Sequence, residues 1–136
     1  MSKQLKAAVI SFALVLVPAL SHADCRHRTA LIATDDGAAI GASGHAEARQ
    51  QTSVIYYGGS REQFKVQVEA DVDDGTVFNA FADGIFAGTL TTSLGVAEME
   101  LDSELFNLPN ELRPVCNLSV VEVTDADGVL ILFGNF

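Results

Sequence analysis

Along most of this chain every second residue is apolar, the spacing of a β-strand with one face in a core. Phe64, Val66, Val68 and Ala70 alternate with Lys65, Gln67 and Glu69, and Ala97, Met99 and Leu101 alternate with Val96, Glu98 and Glu100. Successive side chains of an extended strand point to opposite faces, so each such run has one buried and one wet side. Turn signals stand between the runs at Asp35-Asp36-Gly37, Asp73-Asp74-Gly75, Asp83-Gly84, Ser93-Leu94-Gly95 and Asp127-Gly128. Asp-Gly suits tight hairpins because both central positions of a type I′ turn need positive φ. The spacing predicts strands near 28–34, 38–43, 45–51, 63–70, 76–82, 85–91, 96–102, 117–123 and 129–133, with no helix longer than one turn. Parallel pairs need crossovers of a dozen or more residues, so connections this short predict antiparallel neighbours.

An internal repeat is also expected. Asp36-Gly37-Ala38-Ala39-Ile40-Gly41 matches Asp83-Gly84-Ile85-Phe86-Ala87-Gly88, and Gly44-His45-Ala46-Glu47 matches Gly95-Val96-Ala97-Glu98. Val68-Glu69 with Asp74-Gly75 matches Val121-Glu122 with Asp127-Gly128 in the same order. Two units, roughly 28–75 and 76–133, fall short of the three or so that a solenoid or propeller needs. The expected fold is all-β, an antiparallel sandwich or small barrel of eight or nine short strands, built from two pseudo-repeats and carrying one disulfide.

The first 23 residues read differently. Lys3 and Lys6 precede an apolar run from Ala7 to Leu20 broken only by Ser11 and Pro18, and Ser21-His22-Ala23 offers small residues before Asp24. This is the layout of a secretory signal peptide, and the run is too short, and too disfavoured by proline, for a membrane-spanning helix. Residues 24–136 form the expected single domain, periplasmic or secreted. That part holds six basic against 18 acidic residues, a net charge of −12. Such a field repels phosphate backbones, and the bases form no cluster, so nucleic acid is a poor partner. The C-terminal run Val129 to Phe136 ends in phenylalanine, but strands of about seven residues fall short of the 9–11 that cross a bilayer. No membrane span is expected in the mature form.

Both cysteines lie beyond the cleavage point, and an oxidising compartment favours one Cys25–Cys116 bridge closing a long loop. Little else in the chain suggests chemistry. Ser43 and His45 stand two residues apart near an expected turn, but Gly41-Ala42-Ser43-Gly44 departs from a nucleophile elbow and no third group orients them. The expectation is that the protein is not an enzyme and carries no cofactor. Asp71, Asp73 and Asp74 before Gly75, with Asp125 and Asp127 before Gly128, are weak candidates for extracellular calcium. The EF-hand pattern fails there because Gly75 is fifth from Asp71 and Ala82 twelfth.

Two longer connections remain, 52–61 and 103–114, each with an apolar cluster. Rigid scaffolds present binding residues on such loops, although the same residues serve equally to plug the ends of a core. The residues expected to contact a partner are Val54, Ile55, Tyr56, Tyr57, Leu105, Phe106 and Leu108. The expected role is a binding or structural module for a protein or surface component. A barrel carrying an apolar ligand among its alanines, and a weak calcium-binding domain, are the alternatives.

Overall fold

The computed structural model describes residues 24–52 and 59–136. The expected signal peptide, 1–23, lies outside them. The elements are β1 (Cys25–Ala33), α1 (Asp35–Ala39), β2 (Ser43–Thr52), β3 (Ser60–Glu69), β4 (Val77–Ala82), β5 (Ile85–Thr91), β6 (Val96–Asp102), β7 (Val120–Asp125) and β8 (Leu130–Asn135). Three 3-10 turns, Ser103–Leu105, Asn110–Leu112 and Val115–Asn117, occupy the connection between β6 and β7.

All eight strands pair antiparallel in the order β5-β4-β7-β8-β1-β2-β3-β6. The two end strands, β5 and β6, are joined by the tight turn at Ser93–Val96 and lie against each other, so the sheet is a nearly closed barrel. The first strand pairs with the last, Ile32 opposite Phe133 and Ala33 opposite Leu132. β1, β2 and β3 run as a meander, but β3 then pairs with β6 and β4 with β7, leaving β4 and β5 as an excursion. Among the described residues no helix is long and apolar enough to cross a membrane.

Alternation does what the spacing predicts. Phe64, Val66 and Val68 of β3 are wholly buried, as are Phe78, Leu90, Val121, Val123 and Leu132 from the other side. Small residues stand opposite large ones on neighbouring strands: Ala46 faces Val66, Ala48 faces Phe64, Ala80 faces Val123 and Ala82 faces Val121. A barrel of eight strands has room for little more than interdigitated side chains, and these fill it. Each large side chain fully buried in this way contributes roughly 1.5–3 kcal/mol.

The structure departs from the sequence reading at the first unit. Residues 38–42 form no strand; Asp35–Ala39 is a short helix whose N-cap, Thr34, accepts from the Gly37 amide at 3.1 Å through Oγ1. The same hydroxyl donates to the Leu130 carbonyl at 2.7 Å, tying the helix to β8. Gly37 lies so close to the Ile131 carbonyl that a Cβ would collide with it. Its supposed counterpart, Asp83-Gly84, is a hairpin turn with both residues at positive φ, +49° and +76°. The two Asp-Gly pairs therefore differ in structure. β2 and β3 are sheet neighbours whereas β6 and β7 are not, so the structure does not show the two pseudo-repeats. β7 begins at Val120 rather than at 117, because the preceding 3-10 turn holds Val115–Asn117 and the Asp83 carboxylate receives the Ser119 and Val120 amides.

Candidate functional site

One end of the barrel is closed by the segment that follows β6. Leu112, Val115 and Leu118 are buried there, and the Cys25–Cys116 disulfide, with Cα atoms 6.1 Å apart, ties that plug to the start of β1. Glu62 sits on the inward phase of β3, in line with Phe64 and Val66, and is 3% exposed. A buried carboxylate is costly unless paired and hydrogen-bonded. The Arg113 guanidinium donates to one of its oxygens and the Val115 amide to the other, the latter at 2.9 Å. Glu62 thus anchors the plug to β3.

Beside it Asp102 ends β6, its side chain also buried. Arg61 Nη2 donates to Asp102 Oδ2 at 2.6 Å and Nε reaches both carboxylate oxygens at 3.2 Å; Gln63 Nε2 adds a bond at 3.2 Å and the Glu104 amide one at 3.0 Å. Donation from the Arg61 guanidinium, more than any other contact, holds the Asp102 carboxyl below its ordinary value, against the opposing effect of burial. Asn107 accepts from the Asp102 amide at 2.7 Å and donates to the Glu100 carbonyl at 3.1 Å. Both flanks of residues 103–106 are therefore fixed.

Within that frame Phe106 adopts φ +57° and is 96% exposed, while Leu105 beside it is also exposed. Left-handed backbone at a phenylalanine costs on the order of 1 kcal/mol, and it persists only where surrounding structure determines it. Phe106, Ser103, Glu104 and Arg113 face Gly59, Ser60 and Arg61 across an open cleft of about 440 Å³. Arg61 and Arg113, its two cations, are already paired with Asp102 and Glu62. What the cleft offers is an apolar ledge with serine hydroxyls at its rim.

Of the residues expected to bind, Val54, Ile55, Tyr56 and Tyr57 lie outside the described residues. Leu105 and Phe106 point outward, and Leu108 is half-buried against the core. The two connections do converge on one end, since residues from both line the cleft. The sequence reading missed Arg61, Glu62, Asp102, Asn107 and Arg113. Glu62 alone carried a local signal, a charged residue on the apolar phase of β3.

Two of the five calcium candidates act as turn formers through their carboxylates. Asp74 accepts from the Leu94 amide at 2.7 Å, and Asp125 accepts from the amides of Asp127 and Val129, each at 2.9 Å. Asp71 and Asp74 border an open cavity of about 610 Å³ at the other end of the barrel, yet among the described residues no three His, Cys, Asp or Glu side chains gather to hold a metal. Ser43 and His45 share the outer face of β2, and no hydrogen bond joins them. Compared with known proteins, the chain matches no family model, no curated protein and no solved structure.

Proposed function

We propose that the protein is an exported, acidic, non-catalytic binding module that engages a protein or surface component through the barrel end where Gly59, Ser60 and Arg61 meet residues 103–114, with Phe106 as its outermost contact. One observation carries this reading: a phenylalanine almost fully exposed, at positive φ, on a segment whose flanks are fixed by the Arg61–Asp102 ion pair and the Asn107 hydrogen bonds. Rigid exposed aromatics serve as anchors in protein interfaces because they bring large contact area at little cost in conformational entropy. The filled interior supports an external site over an enclosed one. Export is supported by the basic and then apolar N-terminus and by the disulfide.

The test uses two independent readouts. Phe106→Gly should raise stability by about 1 kcal/mol, since glycine adopts this φ without strain. A photo-crosslinking residue at position 106, in the native exported protein, should give an adduct absent when the same residue replaces Glu98. Equal adducts at both positions, or none at 106, would overturn the reading.

A further inference from the structure

The barrel wall opposite β2 and β3 carries a feature that the end cleft does not use. Cross-strand register places Phe86 of β5 beside Phe81 of β4, Phe81 beside Glu122 of β7, Glu122 beside Phe133 of β8, and Phe133 beside Ile32 of β1. These five residues form one transverse row across five adjacent strands, spanning roughly 19 Å at the usual strand separation. Phe86 is 53% exposed, Ile32 59% and Phe133 37%, with Phe81 and Glu122 half-exposed between them. Phe81 and Phe86 meet edge to face with ring centroids 5.7 Å apart. Asn79, Thr89 and Thr124 form the next row on the same wall. An apolar row interrupted by one carboxylate and flanked on one side by uncharged hydrogen-bonding groups is suited to docking an apolar segment that carries a single charge.

Charge decides what covers it. Of the row's five strands, β4, β5, β7 and β8 contain no lysine or arginine and their acids are Glu122 and Asp125, while the arginines of β1, Arg26 and Arg28, stand opposite β2, outside its pairing with β8. The Asp125 carboxylate is engaged by the Asp127 and Val129 amides, whereas Glu122, at the middle of the row, makes no ion pair and no side-chain hydrogen bond among the described residues. A second copy packed row on row about a two-fold axis would set Glu122 against Glu122, and both copies carry a large excess of acid. A partner that brings a cation to the centre of the row satisfies it instead. We propose that the Phe86-Phe81-Glu122-Phe133-Ile32 row docks a protein segment in which apolar side chains flank a lysine or arginine, the cation pairing with Glu122. None of its residues lines the barrel-end cleft, so the two surfaces stand or fall separately.

The probes are three synthetic peptides titrated into isotope-labelled mature protein with its disulfide intact: alternating Leu–Lys, alternating Leu–Glu and alternating Ser–Lys. The Leu–Lys peptide should shift the backbone amides of Ile32, Phe81, Phe86, Glu122 and Phe133. Glu122→Gln should weaken it about tenfold, and Phe86→Ser with Phe133→Ser should abolish the shifts while leaving the circular dichroism of the fold unchanged. Leu–Glu and Ser–Lys should leave the row silent. The proposal is overturned if Ser–Lys binds as well as Leu–Lys, if the shifts fall on Glu98 and Glu100 instead, or if sedimentation shows a dimer that the double serine variant dissociates.

Discussion

The two halves of the barrel wall share one period and one core, yet their outer surfaces are built on opposite rules. On β1, β2, β3 and β6 a transverse row runs Arg28, Glu47, Lys65, Glu100, with the sign of charge alternating at every step. Arg26 reaches Glu47 and Lys65 reaches Glu98, both at 3.5 Å. On β4, β5, β7 and β8 the corresponding row is three phenylalanines around one unpartnered acid, and Ile32 continues it onto the far end of β1. Exposed ion pairs of this kind contribute little to stability, but they leave a wall electrostatically satisfied and well hydrated. Solvent-facing aromatics add little to the fold and leave apolar area available for covering. Alternation settles which side of a strand is wet; the kind of surface it makes depends on which strands become neighbours.

The sharpest break in the comparison should come from the disulfide, because it ties the plug to the charged half alone. Replacing Cys25 and Cys116 by serine should lower the unfolding free energy by about 4 kcal/mol in urea titration, given the 91-residue separation. Hydrogen exchange should then rise first in β1 and β2; a uniform rise over all strands would mean that the halves open together. Next, Glu62→Ala should cost about 2 kcal/mol, mainly because it leaves the buried Val115 amide without its acceptor, the part-exposed Arg113 being able to turn to water. A loss below about 1 kcal/mol would show that water replaces the carboxylate.

Acid should act on the charged half with a definite sign. The folded Asp102 carboxyl titrates below its ordinary value of 3.8, so its ion pair stabilises the protein fully above that pH and progressively less as pH falls toward the folded value. Asp102→Asn should flatten this part of the stability profile, by on the order of 1 kcal/mol once the exposure of Arg61 is allowed for. An unchanged profile would assign acid sensitivity to other carboxylates. The smallest effects contrast the walls directly. Lys65→Glu sets like charges beside Glu47 and Glu100 and should cost about 0.5 kcal/mol, recovered in high salt. Phe133→Thr, on the aromatic row, should change stability by no more than about 0.5 kcal/mol at any salt concentration. A larger loss would make that phenylalanine part of the fold and not of an interface.

Much of the architecture is legible in local pattern. The phase of β3 and β6, the hairpin at Asp83-Gly84 and the cysteine pairing all rest on spacing a few residues long or on simple counting. Failures occur where distant chain segments decide. Asp36-Gly37 carries the same letters as Asp83-Gly84, but the Thr34 cap and the approach of Ile131 turn it into a helix. Leu130-Ile131-Leu132-Phe133 shows no alternation because an irregularity in pairing with β7 buries Ile131 and Leu132 side by side. Asp102 lies on the polar phase of β6 and is buried only because Arg61 and Gln63 arrive from another strand. Of the candidate site, the apolar cluster in an irregular segment was readable, but not that Leu105 and Phe106 face outward while Leu108 packs against the core. The network that fixes them joins residues about 40 to 50 apart, and no local signal except Glu62 marks it. The aromatic row exists only once β4 meets β7 and β8 meets β1.

That last pairing has a consequence in time. Synthesis delivers any chain amino end first, so β1 is made long before the strand that covers its free edge. Until Leu130–Asn135 has emerged, the main-chain groups of Ile32 and Ala33 have no partner, the barrel has no closing stave and Phe133 has nowhere to sit. Contacts between segments this far apart form late, because the intervening chain must first surrender its freedom. The half-made chain is therefore a ribbon with an unguarded border, open to mispairing until Leu130–Asn135 joins it.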